Sequence, residues 1–259
     1  MLIDTHIHLD APEFDQDRPE LLTRARCAGV KAFILPAIKK STFDRVAALG
    51  REHADIHCAF GIHPLFLDDA DEADLQALDN RLAQSQTVAV GEIGLDLFVQ
   101  NANMERQEFF FVEQLKLARK HDLPVILHIR RAQDLILKNL RRHPVRGGIA
   151  HAFNGSLQQA RQFISLGFKL GFGGAMTFSG SRRIRALASI LPSESLVLET
   201  DAPDIPPAWA HGGRNEPANL ARFASELATL RSVDVAEIIN VTGRNARTVF
   251  PTLPLPDKT

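Results

Sequence analysis

Eight short apolar runs, each followed by a segment of helical character, divide this chain at nearly even intervals. The runs begin with Leu2-Ile3 and continue at 31–36, 56–60, 87–90, 124–128, 148–151, 168–171 and 195–201. Helices are expected between them at 18–28, 41–53, 71–84, 103–121, 132–143, 156–166 and 181–191, and three more at 217–231, 235–242 and 245–250. Pro19 in a first turn, Gly29 after a last one and Ser41 as an N-cap mark helix ends. Parallel strands need crossover helices, so this alternation implies a parallel sheet. Eight such units in 259 residues predict an α/β fold, a closed (β/α)8 TIM barrel, which typically takes about 250 residues. The doubly wound open sheet is the alternative. No linker interrupts the rhythm, so residues 1–259 are expected to form a single domain.

Thirty lysines and arginines against 31 aspartates and glutamates give a net charge of −1. The molecule as a whole is therefore no electrostatic trap for nucleic acid, and a polyanion would have to be held by local arginines and metal ions. Cys27 and Cys58 belong to no metal-binding spacing and are expected to be buried free thiols in a reducing compartment. No apolar run approaches the length of a membrane span, and no leader-like segment precedes the first strand. A cytoplasmic protein with no membrane and no obligate protein partner is expected.

Polar residues of one kind gather at one end of the predicted strands. In Asp4-Thr5-His6-Ile7-His8 the two imidazoles stand at i and i+2, the same face of an extended strand. His63, Glu92, His128, His151 and Asp201 likewise fall at or just past C-terminal strand ends. Those ends form the mouth of a (β/α)8 barrel, where active sites are built. A single histidine there is an ordinary polar residue. Four or five imidazoles and two carboxylates brought to one rim have no other way to offset their desolvation than a bound cation. The pattern predicts a dinuclear metal site at the C-terminal mouth. The remaining histidines, His53, His57, His121, His143 and His211, are read as structural or solvated.

Several stretches carry a family resemblance: Ile3 to His8, Gly61-Ile62-His63-Pro64, Gly91-Glu92-Ile93-Gly94-Leu95-Asp96 and Leu127-His128-Ile129-Arg130. His151 to Ser156, Leu198-Glu199-Thr200-Asp201-Ala202-Pro203 and Arg214-Asn215-Glu216-Pro217 continue it in order to about residue 250. The chain resembles the TatD family of metal-dependent deoxyribonucleases, its YjjV-type branch in particular, within the amidohydrolase-like superfamily. The resemblance implies that His6, His8 and Asp201 hold one metal, that His128 and His151 hold the other, and that Glu92 bridges them. Related barrels use a carboxylated lysine as the bridge, and the strand before Glu92 has none. Glu199, two residues before Asp201, would orient a ligand, bind a further metal or take a proton. His63 and Arg130 match substrate-phosphate positions of the family. The chain departs from the family's usual pattern at Ile129-Arg130-Arg131 and at Ala152-Phe153-Asn154-Gly155. Neither departure touches a metal ligand, and both bear on substrate preference.

Two divalent ions bridged by a carboxylate supply a metal-bound hydroxide and stabilise the attacking and leaving oxygens of a phosphodiester. Glu92, Asp201 and Glu199 are thus the expected catalytic residues, and Asp201 is the proton acceptor. His63, Arg130 and Arg131 are the expected substrate contacts, the guanidinium forks matching phosphate oxygens. Phe153, Phe172 and Phe178 stand near the mouth, where at least two of them are expected to pack rather than stack on bases. Arg182, Arg183 and Arg185 are read as a solvated helix face. The expected activity is 3′–5′ exonucleolytic hydrolysis of single-stranded DNA or RNA. A small-molecule amide or ester hydrolase, such as an aminoacyl ester deacylase, is the alternative. Imidazole and carboxylate ligands suit Zn, Mn, Ni or Fe. The resemblance implies Mg or Mn in use, with Zn or Ni retained on purification.

Overall fold

The computed structural model describes residues 1–84, 87–99 and 103–253. Eight strands form one sheet: β1 (Leu2–Asp4), β2 (Val30–Pro36), β3 (Ile56–Phe60), β4 (Thr87–Asp96), β5 (Val125–Arg130), β6 (Gly148–Ala150), β7 (Phe168–Phe172) and β8 (Leu196–Leu198). They lie in sequence order, and every neighbouring pair is parallel. The gap between β8 and β1 is closed just above the strands. There Thr5 N–H donates to Leu198 O (3.1 Å), Asp201 N–H to His6 O (2.9 Å) and His8 N–H to Ala202 O (2.9 Å).

The crossover helices are α1 (Arg18–Cys27), α2 (Phe43–Glu52), α3 (Glu72–Leu82), α4 (Met104–Lys120), α5 (Gln133–Arg142), α6 (Leu157–Ser165) and α7 (Arg182–Ile190), with α8 (Leu220–Arg231) and α9 (Val235–Val249) at the end. No described helix is long and apolar enough to cross a membrane. The starts of α3 and α6 carry reciprocal capping boxes, Asp71 with Asp74 and Ser156 with Gln159.

Two apolar layers result. Outward-facing strand residues pack under the helices. The inner layer takes Ile3, Ala32, Ile34, Ala59, Ala89, Ile126, Ile149 and Val197, and the end of α9 with Val249 and Phe250 plugs it from below. Because side chains alternate, the residues two positions further along these strands face the same interior. Ile126 leads to His128, Ile149 to His151, and Val197 to Glu199 and Asp201. The apolar plug at the bottom therefore dictates a polar layer at the top.

Three expectations need correction. Helices 235–242 and 245–250 are one, α9. Gly243 does not break it, because the glycine makes room for the N-terminus: a Cβ there would lie 2.0 Å from Met1 O. The fourth strand runs on to Asp96, with its register shifting between Val90 and Ile93. Cys27, in the last turn of α1, is exposed, whereas Cys58 is buried.

Candidate metal centre

Glu92 stands at the centre of the mouth, and its two carboxylate oxygens face different imidazoles. Oε2 lies 3.1 Å from His6 Nε2 and 3.5 Å from His8 Nε2. Oε1 lies 3.0 Å from His128 Nδ1, 3.4 Å from His151 Nε2 and 3.5 Å from His63 Nε2. Asp201 Oδ1 closes the first side, 3.4 Å from His6 Nε2 and 3.6 Å from His8 Nε2. His6, His8 and Asp201 thus form one compact donor group. His151 stacks on His6, with ring centroids 4.0 Å apart, and shares a donor group with His6 and Glu92. His128 groups instead with His63 and Glu92. His128 and His151, expected as one pair, both face Oε1 of Glu92, with their ring centroids 6.1 Å apart.

A second layer of carboxylates backs these rings. His128 Nε2 is 3.0 Å from Asp96 Oδ2. His151 Nδ1 is 3.5 Å from Glu199 Oε1, which also accepts from the backbone N–H of Ala152. Gly171 leaves space for Glu199: a Cβ at that position would lie 2.1 Å from Glu199 Oε2. Asp4, fully buried, accepts from Thr200 N–H (2.9 Å) and Thr200 Oγ1–H (2.6 Å) and so joins β1 to the segment bearing Asp201. Asn215 fixes the segment beyond. Its Nδ2 donates to Thr200 O, Asp204 O and Ile205 O, and its Oδ1 accepts from Glu216 N–H and Asn219 Nδ2–H.

The electrostatics call for a cation. Burial alone would raise the Glu92 carboxyl, but His6, His63 and His151 hold it well below the ordinary range. Burial and then the neighbouring His151 drive His6 down to about 3. Burial disfavours charged His8 and His151 too, yet the surrounding carboxylates outweigh it and raise them to about 9 and about 10. Burial raises Asp201 to about 6 against the pull of His151 and His8. Protons thus stand between carboxylates that no lysine or arginine neutralises among the described residues. Among the described residues, three of the five buried side-chain polar atoms without a hydrogen-bond partner, His6 Nδ1, His151 Nδ1 and Glu199 Oε2, belong to this cluster. Converging imidazole nitrogens and carboxylate oxygens, short of positive charge, are a donor set that fits divalent cations, which displace such protons on binding.

These features have close counterparts. Residues 3–251 match the sequence profile of the family described as TatD related DNase. The chain belongs to this family. It is 43% identical over 251 residues to the uncharacterized metal-dependent hydrolase YjjV of Escherichia coli K12, covering 96% of this chain and 97% of that one. The crystal structure of that TatD homologue superposes with a TM-score of 0.94 at 42% identity, over 98% of each chain. The 3′-5′ ssDNA/RNA exonuclease TatD of Cronobacter sakazakii is 33% identical over 262 residues, covering 96% of this chain and 97% of that one. This TatD-family protein is accordingly a metal-dependent hydrolase.

Around the TatD-type centre opens a cavity of about 880 Å³, lined by His8, His63, Glu92, His128, His151 and Asp201 together with Lys39, Phe66 and Arg130. His63 is buried at its inner end, and its Nδ1 accepts from Leu65 N–H (3.1 Å). Arg130 and Arg131 are exposed at the rim. Phe153 and Phe172 are buried in the core, as packing residues should be, and Phe178 is half-buried against His211. Arg182 and Arg183 are exposed on α7, and Arg185 is paired with Glu226. Asp96 and Asn215 lie in the family-like stretches but received no role from the sequence, and Lys39 and the exposed Phe66 and Phe98 were not singled out at all. For Asp96 a signal existed: extending β4 through residue 96 puts Glu92 and Asp96 on one face.

Proposed function

We propose that this protein is a metal-dependent phosphodiesterase that removes nucleotides from the 3′ end of single-stranded DNA or RNA. The observation that carries this reading is the division of the Glu92 oxygens between two sets of imidazoles, in a cavity whose rim presents Arg130. The exonuclease named among its relatives supports it. In this reading His6, His8 and Asp201 would hold one divalent ion, His128 and His151 would hold the other, and Glu92 would serve both. Mg or Mn is the working metal, and Zn or Ni is what purification leaves. Such ions lower the pKa of a coordinated water and offset charge on the phosphoryl oxygens.

The chain's own groups do the remaining work. Asp201 accepts the proton of the attacking water at a carboxylate oxygen, and that proton passes on to the 3′-oxygen of the preceding nucleotide, which leaves as a hydroxyl when its P–O bond breaks. Glu199 orients His151 from behind, as Asp96 orients His128. Burial lowers the pKa of the His63 imidazole and so favours its neutral form; with Nδ1 engaged as an acceptor, the ring proton is on Nε2, which faces Glu92 Oε1 at 3.5 Å, and an incoming phosphate oxygen would take up that hydrogen bond. Arg130 and Arg131 bind non-bridging oxygens, and their forks favour the trigonal-bipyramidal arrangement.

A second reading, hydrolysis of a small amide or ester such as an aminoacyl ester, draws on Asp10, Glu13 and Asp204, acidic residues that line the same cavity. One experiment decides between them. Metal-stripped protein is given Mg, Mn or Zn with a 5′-labelled single-stranded oligonucleotide, and Glu92→Ala is the control for contaminating nucleases. A ladder shortening from the 3′ end with metal, absent in the variant, is the expected result. Intact oligonucleotide with folded, metal-loaded protein would overturn the nuclease reading and direct the search to aminoacyl esters and cyclic amides.

A further inference from the structure

Five of the nine large hydrophobic side chains exposed among the described residues, Leu65, Phe66, Leu97, Phe98 and Val99, stand on two consecutive loops. These loops follow β3 and β4 at the barrel mouth. Leu65 and Phe66 also line the cavity of the metal centre. Cations cover the two rings: Lys39 Nζ lies 5.1 Å from the centroid of Phe66, and the guanidinium carbons of Arg130 and Arg131 lie 3.8 and 4.6 Å from that of Phe98. None of these three cations pairs with a carboxylate among the described residues, whereas Arg18, Arg24, Arg26, Arg45, Arg81, Arg185 and Arg214 all do. The second loop is tied to the metal centre. Phe98 N–H donates to Asp96 Oδ1 (2.8 Å), the carboxylate that backs His128, and Leu97 N–H donates to Arg130 O (2.8 Å).

We propose that this strip is a nucleotide track: Arg130 and Arg131 leave the Phe98 ring for the scissile phosphate, Lys39 leaves Phe66 for another phosphate, and bases of the single strand stack on the two rings so uncovered. Exposed π faces beside cations that pair with no carboxylate among the described residues, next to a hydrolytic centre, suit an unpaired polynucleotide, because every base offers a stacking face and every linkage a charge. A duplex buries its base faces and gains only the charges. An apolar protein segment would use the rings and leave three cations without partners. The inference rests on the nuclease reading and names the part of the strand that extends beyond the scissile bond.

The test uses metal-loaded enzyme and two fluorescein-labelled phosphorothioate 12-mers, oligothymidylate and an abasic strand of equal charge, with binding read by anisotropy. The wild type should prefer the strand with bases by at least about fivefold per stacked base. Phe66→Ala and Phe98→Ala, and Phe98→Leu in which the apolar volume stays and the π face is lost, should shrink that preference. Ile190→Ala, an exposed residue of α7 far along the chain from both loops, should keep it. Equal binding of both strands by the wild type, or an undiminished preference in all three phenylalanine variants, would overturn the proposal. So would a wild-type dimer that Phe98→Ala converts to monomer, since the strip would then be an interface between copies. Base preference without cleavage of an unmodified oligonucleotide would retain the track and refute the nuclease reading. Cleavage without base preference would do the reverse.

Discussion

Asp96 holds two things at once: the far nitrogen of His128 and the backbone N–H of Phe98. A metal-bound imidazole whose second nitrogen donates to a carboxylate is fixed in orientation and is a stronger ligand, and losing that partner typically costs about 10–100-fold in metal affinity. Asp96→Ala is therefore expected to weaken metal binding by about that factor, measured by calorimetric titration of stripped protein. Unchanged affinity would mean that Asp96 serves only the loop. The six proposed metal ligands were legible in the sequence because their residue types are costly to bury without a cation and because each falls at a strand end. Asp96 and Asn215 stood in the family-like stretches, but what they do there was not legible. A carboxylate backing a histidine carries the same letter as one on a solvated loop, and only the path of β4 beyond Val90 distinguishes them. Phe66 and Phe98 were missed for the opposite reason. Phenylalanine is ordinarily core, as Phe153 and Phe172 are, and exposure is a property of the folded surface.

At the level of elements, the strand–helix alternation was readable because each unit buries one face and marks its ends with caps, proline or glycine. Less readable were features decided by contacts distant in sequence, such as Gly243 yielding space to Met1 within α9. The connection from β8 to α8 is another such case. It carries Asp201 and is fastened to α1 by Arg214, whose guanidinium donates to both oxygens of Asp17 (2.8 and 2.7 Å), while Arg24 reaches Asp17 and Glu216. The Arg214 hydrogen bonds lead in lowering the Asp17 carboxyl from 3.8 to about 2. Because the folded value lies below the unfolded one, the stabilisation is complete above about pH 4 and disappears as pH falls toward 2. Melting temperatures of the wild type and Asp17→Asn should therefore differ at pH 5 and converge by pH 2. A gap that persists at pH 2 would assign the loss to packing rather than to the ion pair.

Across the whole molecule, a net charge of −1 makes the proposed polyanion substrate depend on a few cations concentrated at one rim. Lys39, Arg130 and Arg131 lie on the β2, β5 and following connections, and none spends its charge on a carboxylate among the described residues. Each phosphate they neutralise releases condensed counterions, so affinity for a single strand should fall with log salt at a slope of about −0.7 per contact. Three contacts give about −2, which is about a hundredfold loss of oligonucleotide affinity for a tenfold rise in salt. Replacing any one of the three by alanine should flatten the slope by about 0.7. The acidic residues Asp10, Glu13 and Asp204 in the same cavity work against a polyanion at short range, but they release no counterions from the strand and leave the slope alone. Binding titrations of metal-loaded protein at 50–500 mM salt measure this directly. A neutral ester or amide carries no condensed ions, so a flat response, with slopes indifferent to all three substitutions, would point to the small-molecule hydrolase instead.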